Sequence, residues 1–155
     1  MRPGALGSHD ELERFVRAQA PLIEQVRAEL AAGRKSTHWM WFVFPQLRGL
    51  GLSPMAQHYG IASLDEAVRY LQHPVLGERL AECTAAVNAV VGIPIETVFP
   101  YPDHLKFHSS MTLFEHAARR AQALRCGSVF RAALEHYFGG IEDPRTLSLL
   151  DADGV

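Results

Sequence analysis

Cysteine is nearly absent from this chain: Cys83 and Cys126 are the only two in 155 residues. A chain of this length buries enough apolar surface to fold without cross-links, so both are expected as thiols in a reducing compartment. Excess charge is absent as well. Fifteen Lys and Arg against 17 Asp and Glu leave a net charge of −2. Without clustered cations to displace counterions from phosphates, duplex nucleic acid is not an expected partner. No apolar run approaches the roughly 20 residues of a membrane span. The opening MRPGALGSHD has one early arginine but no apolar stretch before polar residues resume at Ser8, so neither a signal peptide nor an anchor is read there. Cytoplasm is the compartment these absences leave. Convincing period-two alternation is also missing, which removes the signature of a half-buried strand.

What the chain does have is a complete core composition, 48% apolar with 21% charged residues, in helical patterning from end to end. Leu12, Phe15 and Val16, then Leu22, Ile23, Val26 and Leu30 after Pro21, predict two helices with a break at Ala20–Pro21 and a stop at Gly33. Ser53–Pro54 predicts a short helix to Tyr59, and Ser63-Leu-Asp-Glu66 matches a capping box opening a helix to about Gln72. Pro74 starts a longer one ending before Gly92, Ile95 to Phe99 make one turn, and Asp103 caps a helix through Phe114. Gly127 to Phe138 and Asp143 to Leu150 complete the reading. The expectation is an all-α, irregular single domain of seven to nine helices, several of them short, over residues 9–150, with flexible ends at 1–8 and 151–155.

Two stretches break the apolar pattern. Lys35 to Gln46, KSTHWMWFVFPQ, holds both tryptophans, and Asp103 to Phe114, DHLKFHSSMTLF, sets a lysine, two histidines, two serines and a threonine in what otherwise reads as core helix. Polar groups buried without partners cost about 1–3 kcal/mol each, so their presence asks for a reason. For the first stretch, helix is favoured over strand, since a strand here has no obvious partner.

With these stretches and HPVLGERL between them, the chain resembles the bacterial and fungal family catalogued as domain of unknown function 1810, over about His9 to Leu150. The family pattern carries His38, Trp39, Trp41, Phe44, Gln46, Gly49, Ser53 and Tyr59 in the first stretch. In the second it carries Asp103, Lys106, Ser109, Ser110, Thr112 and Phe114, and this chain matches at every one of them. At His104 it departs, since an acidic residue is common there. The resemblance implies an all-helical, cytoplasmic single domain and attaches no activity to it. Members are sometimes labelled calpastatin, a disordered polar inhibitor whose composition this chain does not share.

The chemistry of the two stretches leaves alternatives open. Trp39 and Trp41 are either core residues or stacking walls for a base or sugar, and on a helix Trp41 shares a face with positions 38, 42 and 45 while Trp39 lies off it, so the two cannot point the same way. The stacking role is assigned more readily to Trp39 than to Trp41. His38, near an expected helix start, is either an acid/base with its proton disfavoured by the dipole or a structural histidine. Gln46 could pin a polar ligand edge. Lys106, Ser109 and Ser110 share a helical face and read as a lysine-activated nucleophile pair, or, preferred, as an anion-binding patch completed by Asp103. Thr112, from the family pattern, joins Trp39, Trp41, Gln46 and Asp103 as ligand-binding candidates. His104 and His108 have metal-ligand spacing, with Glu115 or His116 as a third group, but no metal or cofactor is expected from so sparse a set.

These readings point to one pocket lined by both stretches and built for a small anionic metabolite, nucleotide-like or sugar-phosphate-like. His38, Lys106, Ser109 and Ser110 are its catalytic candidates. A non-catalytic ligand-sensing module and a protein-interaction domain are the alternatives. Oligomeric state is not legible.

Overall fold

A computed structural model describes residues 3–122 and 124–152, with side chains over 11–122 and 129–152. The described residues form ten helices, of which three, α3 (Met40–Val43), α4 (Pro54–His58) and α7 (Ile95–Val98), have five residues or fewer. The others are α1 (Pro3–Gln19), α2 (Ile23–Ala31), α5 (Leu64–Gln72), α6 (Leu76–Asn88), α8 (Asp103–Ala121), α9 (Leu124–Phe138) and α10 (Pro144–Ala152). No strand occurs among them. A single parallel bridge joins Leu47 to Ile61 and ties down the loop between α3 and α5.

The punctuation residues act largely as their chemistry dictates. Pro21 sits in the turn between α1 and α2, and Gly33 ends the second helix in the left-handed region at φ 77°. Ser53 caps α4 by accepting from the Ala56 amide at 3.1 Å, with Pro54 at the first helical position. Ser63 accepts from the Glu66 amide at 3.2 Å, while Glu66 reaches back to the amide of Ala62, at 2.7 Å, rather than to that of Ser63. The reciprocal box is therefore shifted by one residue.

Two caps differ from expectation. Leu76, not Pro74, opens α6, because the His73 ring Nδ1 accepts from the amides of Val75 and Leu76 at 3.1 and 3.2 Å. At α8 the cap position belongs to Pro102, and no side chain bonds the free amides there. Asp103 sends its carboxylate elsewhere.

Helix α8 is the axis of the fold. It packs against α5 and α9, while α6 lies against α9, α5 and α2. Phe107, Met111, Leu113, Phe114, Ala117 and Ala118 on α8 are all buried and form an apolar arc of about 160°, a little under half of its circumference. Burying each large side chain is worth about 1.5–3 kcal/mol. Close approach sets one further requirement: a Cβ at Gly77 would lie 2.0 Å from the Leu71 carbonyl oxygen, so only glycine lets α6 begin against the end of α5. Cys83 lies in this core, and burial pushes its thiol up to about 12. Cys126, the other expected thiol, is outside the described side chains.

Candidate functional site

The first polar stretch is organised by a residue that precedes it. Glu29, on the buried side of α2, accepts five hydrogen bonds: from the amides of Ser36 (2.8 Å) and Thr37 (3.2 Å), the Thr37 hydroxyl (2.6 Å), the Trp39 indole (2.9 Å) and the Gln25 amide (3.1 Å). Burial alone would raise its pKa, but the donors from Thr37, Ser36, Trp39 and Gln25 outweigh that and hold the carboxyl at about 2. The loop from Ser36 to Trp39 is thereby fastened to α2. Lys35 is fixed beside it, its amide donating to the Val98 carbonyl at 2.8 Å.

That fastening turns Trp39 inward. Its ring is fully buried, 6.2 Å from Phe44 and 6.3 Å from Phe99, with its only donor spent on Glu29. Trp39 is thus not a stacking wall, and the expected order of the two tryptophans is reversed. Trp41 is the one that remains partly exposed. The turn α3 starts only at Met40 and spans four residues. His38 therefore lies before a helix too short to exert a useful dipole, and it is exposed.

The second stretch meets the first across a cleft of about 400 Å³. Lys35, His38, Met40 and Trp41 form one wall, and Tyr101, Asp103 and Lys106 the other. At its centre the Lys35 ammonium lies 2.7 Å from one Asp103 oxygen, and the Lys106 ammonium 3.9 Å from the other. Lys35 is the more enclosed, its side chain 8% exposed against 23% for Lys106. Each also sits over an indole, Lys35 at 5.3 Å from the Trp39 ring centre and Lys106 at 5.0 Å from that of Trp41. Two ammonium groups share one carboxylate, which leaves a single excess positive charge. Gln46 lines a narrower pocket that shares Met40, Trp41 and Lys106 with the cleft and is closed by Ala56 and Tyr59.

The remaining candidates of the second stretch go elsewhere. Ser109 donates toward Asp143 at 3.0 Å and toward the Leu105 carbonyl at 3.1 Å. Thr112 donates to the His108 carbonyl at 3.0 Å and accepts from the Asp143 amide at 2.9 Å. Both hold the start of α10, where Asp143 also accepts from the amide and hydroxyl of Thr146. Ser110 is fully buried and its hydroxyl has no partner among the described residues. The shared face expected for Lys106, Ser109 and Ser110 is therefore not a shared site. Serine side chains end close to the helix backbone, whereas the lysine stem reaches past its neighbours to the cleft.

The histidine pair also divides. The His108 ring stacks on Phe138 at 4.0 Å and its Nε2 meets the Ile141 carbonyl at 2.7 Å, whereas His104 lies near Tyr101 with its Nδ1 buried and without a partner among the described residues. His116 pairs with Glu142 at 3.0 Å.

Sequence reasoning left Lys35, Glu29 and Tyr101 without a role. Glu29 had a readable signal: it stands three residues after Val26, on the arc that also buries Leu30. Lys35 and Tyr101 had none, because their place in the cleft depends on how α2 and α7 are brought together.

Among curated proteins none matches the chain. A solved structure is similar, that of the conserved hypothetical protein Rv1873 from Mycobacterium tuberculosis. It shares 57% identity and a TM-score of 0.86, over 91% of this chain and 96% of that one. The model of the family described as protein of unknown function (DUF1810) matches residues 9–150, and the chain belongs to that family.

Proposed function

We propose that the chain binds a small anionic metabolite in the cleft between the 35–41 segment and the start of α8. The observation that carries this reading is the pair of lysines converging on one Asp103, with Lys106 held only loosely at 3.9 Å. An ammonium with an incomplete counter-charge beside apolar walls favours an incoming anion. In this reading Lys106 takes the anion, Lys35 and Asp103 set its position, and Trp41 forms the apolar wall. His38 lies on the exposed side, and Gln46 stands in the narrower pocket behind Trp41, which has room for about one water.

Binding without covalent catalysis fits the site better than a lysine-activated serine. The Ser109 hydroxyl is committed to Asp143, and the Ser110 hydroxyl is enclosed in the core. A cytoplasmic setting accords with the buried Cys83 thiol and with the absence, among the described residues, of any helix long and apolar enough to cross a membrane.

Calorimetric titration with pyrophosphate tests the proposal. Lys106→Met keeps the stem and removes the charge, so it should leave the circular dichroism spectrum intact and weaken pyrophosphate binding about tenfold or more. Equal affinity in both proteins would sink the reading.

A further inference from the structure

We infer that the anion bound in this cleft carries a planar aromatic ring, which stacks on Trp41 in the place now occupied by the Lys106 ammonium. The inference rests on the anion-binding reading above and chooses between two kinds of anion, nucleotide-like and sugar-phosphate-like.

The choice follows from which groups the cleft has left to offer. A sugar phosphate presents several hydroxyls, and each must find a polar partner or remain hydrated. The cleft has few such partners to spare. The Thr37 hydroxyl is committed to Glu29 at 2.6 Å and both Asp103 oxygens face ammonium groups, which leaves the exposed Ser36 and His38 as the polar side chains of the first stretch still open to a hydroxyl. Gln46 lines the narrower pocket and not this cleft. Flat and apolar surface is plentiful by comparison: Trp41, Met40, Pro100 and Pro102 line the space, and Tyr101 stands 78% exposed at its edge.

Lys106 occupies the Trp41 ring in the free protein, its Nζ 5.0 Å from the ring centre. A cation over an indole is a weak, exchangeable contact, and a lysine stem swings easily between partners. An anion bonded to that ammonium lies within about 8 Å of the ring, one hydrogen bond beyond the observed separation. When the ammonium turns to the anion it uncovers the indole face, and an aromatic ring joined to that anion can take its place. The two events favour one another, so ring and anion on one molecule bind better than either alone.

Adenosine monophosphate and ribose 5-phosphate differ by the ring and serve as probes. Calorimetry should show the nucleotide binding about tenfold or more tighter than ribose 5-phosphate, the usual value of one base stacked on an aromatic side chain. Tryptophan emission should change with the nucleotide only. Trp41→Leu should bring the two affinities together, and Lys106→Met should weaken both. Equal affinities in the natural chain, a comparison that needs no variant to fold, would overturn the ring and leave the anion reading standing. Failure of both probes to bind at millimolar concentration would overturn the two together. A nucleotide preference that survives Trp41→Leu in a folded variant would place the ring elsewhere and overturn the inference.

Discussion

Two carboxylates flank the segment from Lys35 to Trp41, and they are used differently. Glu29 receives five hydrogen bonds, four of them from that segment, and every donor is neutral. Asp103 faces two ammonium groups, one close at 2.7 Å and one loose at 3.9 Å. The first arrangement is saturated: five donors fill the carboxylate, and they fasten the loop to α2. The second is short of negative charge, and the shortage lies beside open space. A carboxylate filled by neutral donors is a fastener, whereas one outnumbered by cations marks a place where another anion can enter. Asp143, holding Ser109, Thr146 and the start of α10, belongs with Glu29 in this respect.

Removing the saturated carboxylate should have the largest effect. Glu29→Ala strands the Trp39 indole, the Thr37 hydroxyl and two amides, and should cost about 3 kcal/mol in urea unfolding, since neutral donors lose hydrogen bonds to a charged group worth about 1.5–3 kcal/mol each and only the buried ones go unsatisfied. A loss under 1 kcal/mol would show that the loop holds itself and would break the contrast. The same group sets a pH dependence. Its carboxyl is held at about 2 against an ordinary value near 4.5, so the charged form is favoured by folding. That contribution, about 3 kcal/mol, is complete above the ordinary value and is lost as pH falls from there toward 2. Glu29→Gln should therefore be destabilising at pH 7 and progressively less so at pH 4 and pH 3. A penalty that is constant with pH would count against the assignment.

Asp143→Ala comes next. It removes the acceptor for the Thr146 amide and for the hydroxyls of Ser109 and Thr146, and should cost about 2 kcal/mol by the same unfolding measurement. Pyrophosphate affinity should not change, because α10 lies apart from the cleft. A large loss of binding in a folded protein would blur the division of α8 into a cleft-facing end and a structural flank. Lys106→Met should have the smallest effect on stability, under about 1 kcal/mol, since a partly exposed ion pair at 3.9 Å contributes little. A loss above 2 kcal/mol would move Lys106 to the structural side of the comparison.

The helices were legible where local chemistry settles them. Proline at Pro21 and Pro54, serine caps at Ser53 and Ser63, and glycine stops such as Gly33 act within a few residues of themselves, and the structure keeps them. The cap of α6 was not legible, because a histidine accepting two amides through His73 Nδ1 is an uncommon substitute for serine or aspartate. Of the residues singled out in the two polar stretches, Lys106, Asp103, His38 and Trp41 line one cleft. Trp39, Ser109, Ser110 and Thr112 do not line it. Helical spacing gives the angle of a side chain around its own axis but not what lies at that angle. Ser109 and Lys106 sit only about 60° apart around α8, yet one meets Asp143 and the other the cleft.

From its sequence alone, then, the chain was bound to be a single family of short and long helices around an apolar core, because apolar period, caps and breakers are local properties read over a few residues. Which tryptophan is buried, which serine is spent on a helix cap, and that Lys35 joins Lys106 at Asp103 were decided by tertiary structure. Those outcomes depend on partners such as Glu29 and Asp143, which stand 10 residues before Trp39 and 34 residues after Ser109. Only folding brings them within hydrogen-bond reach.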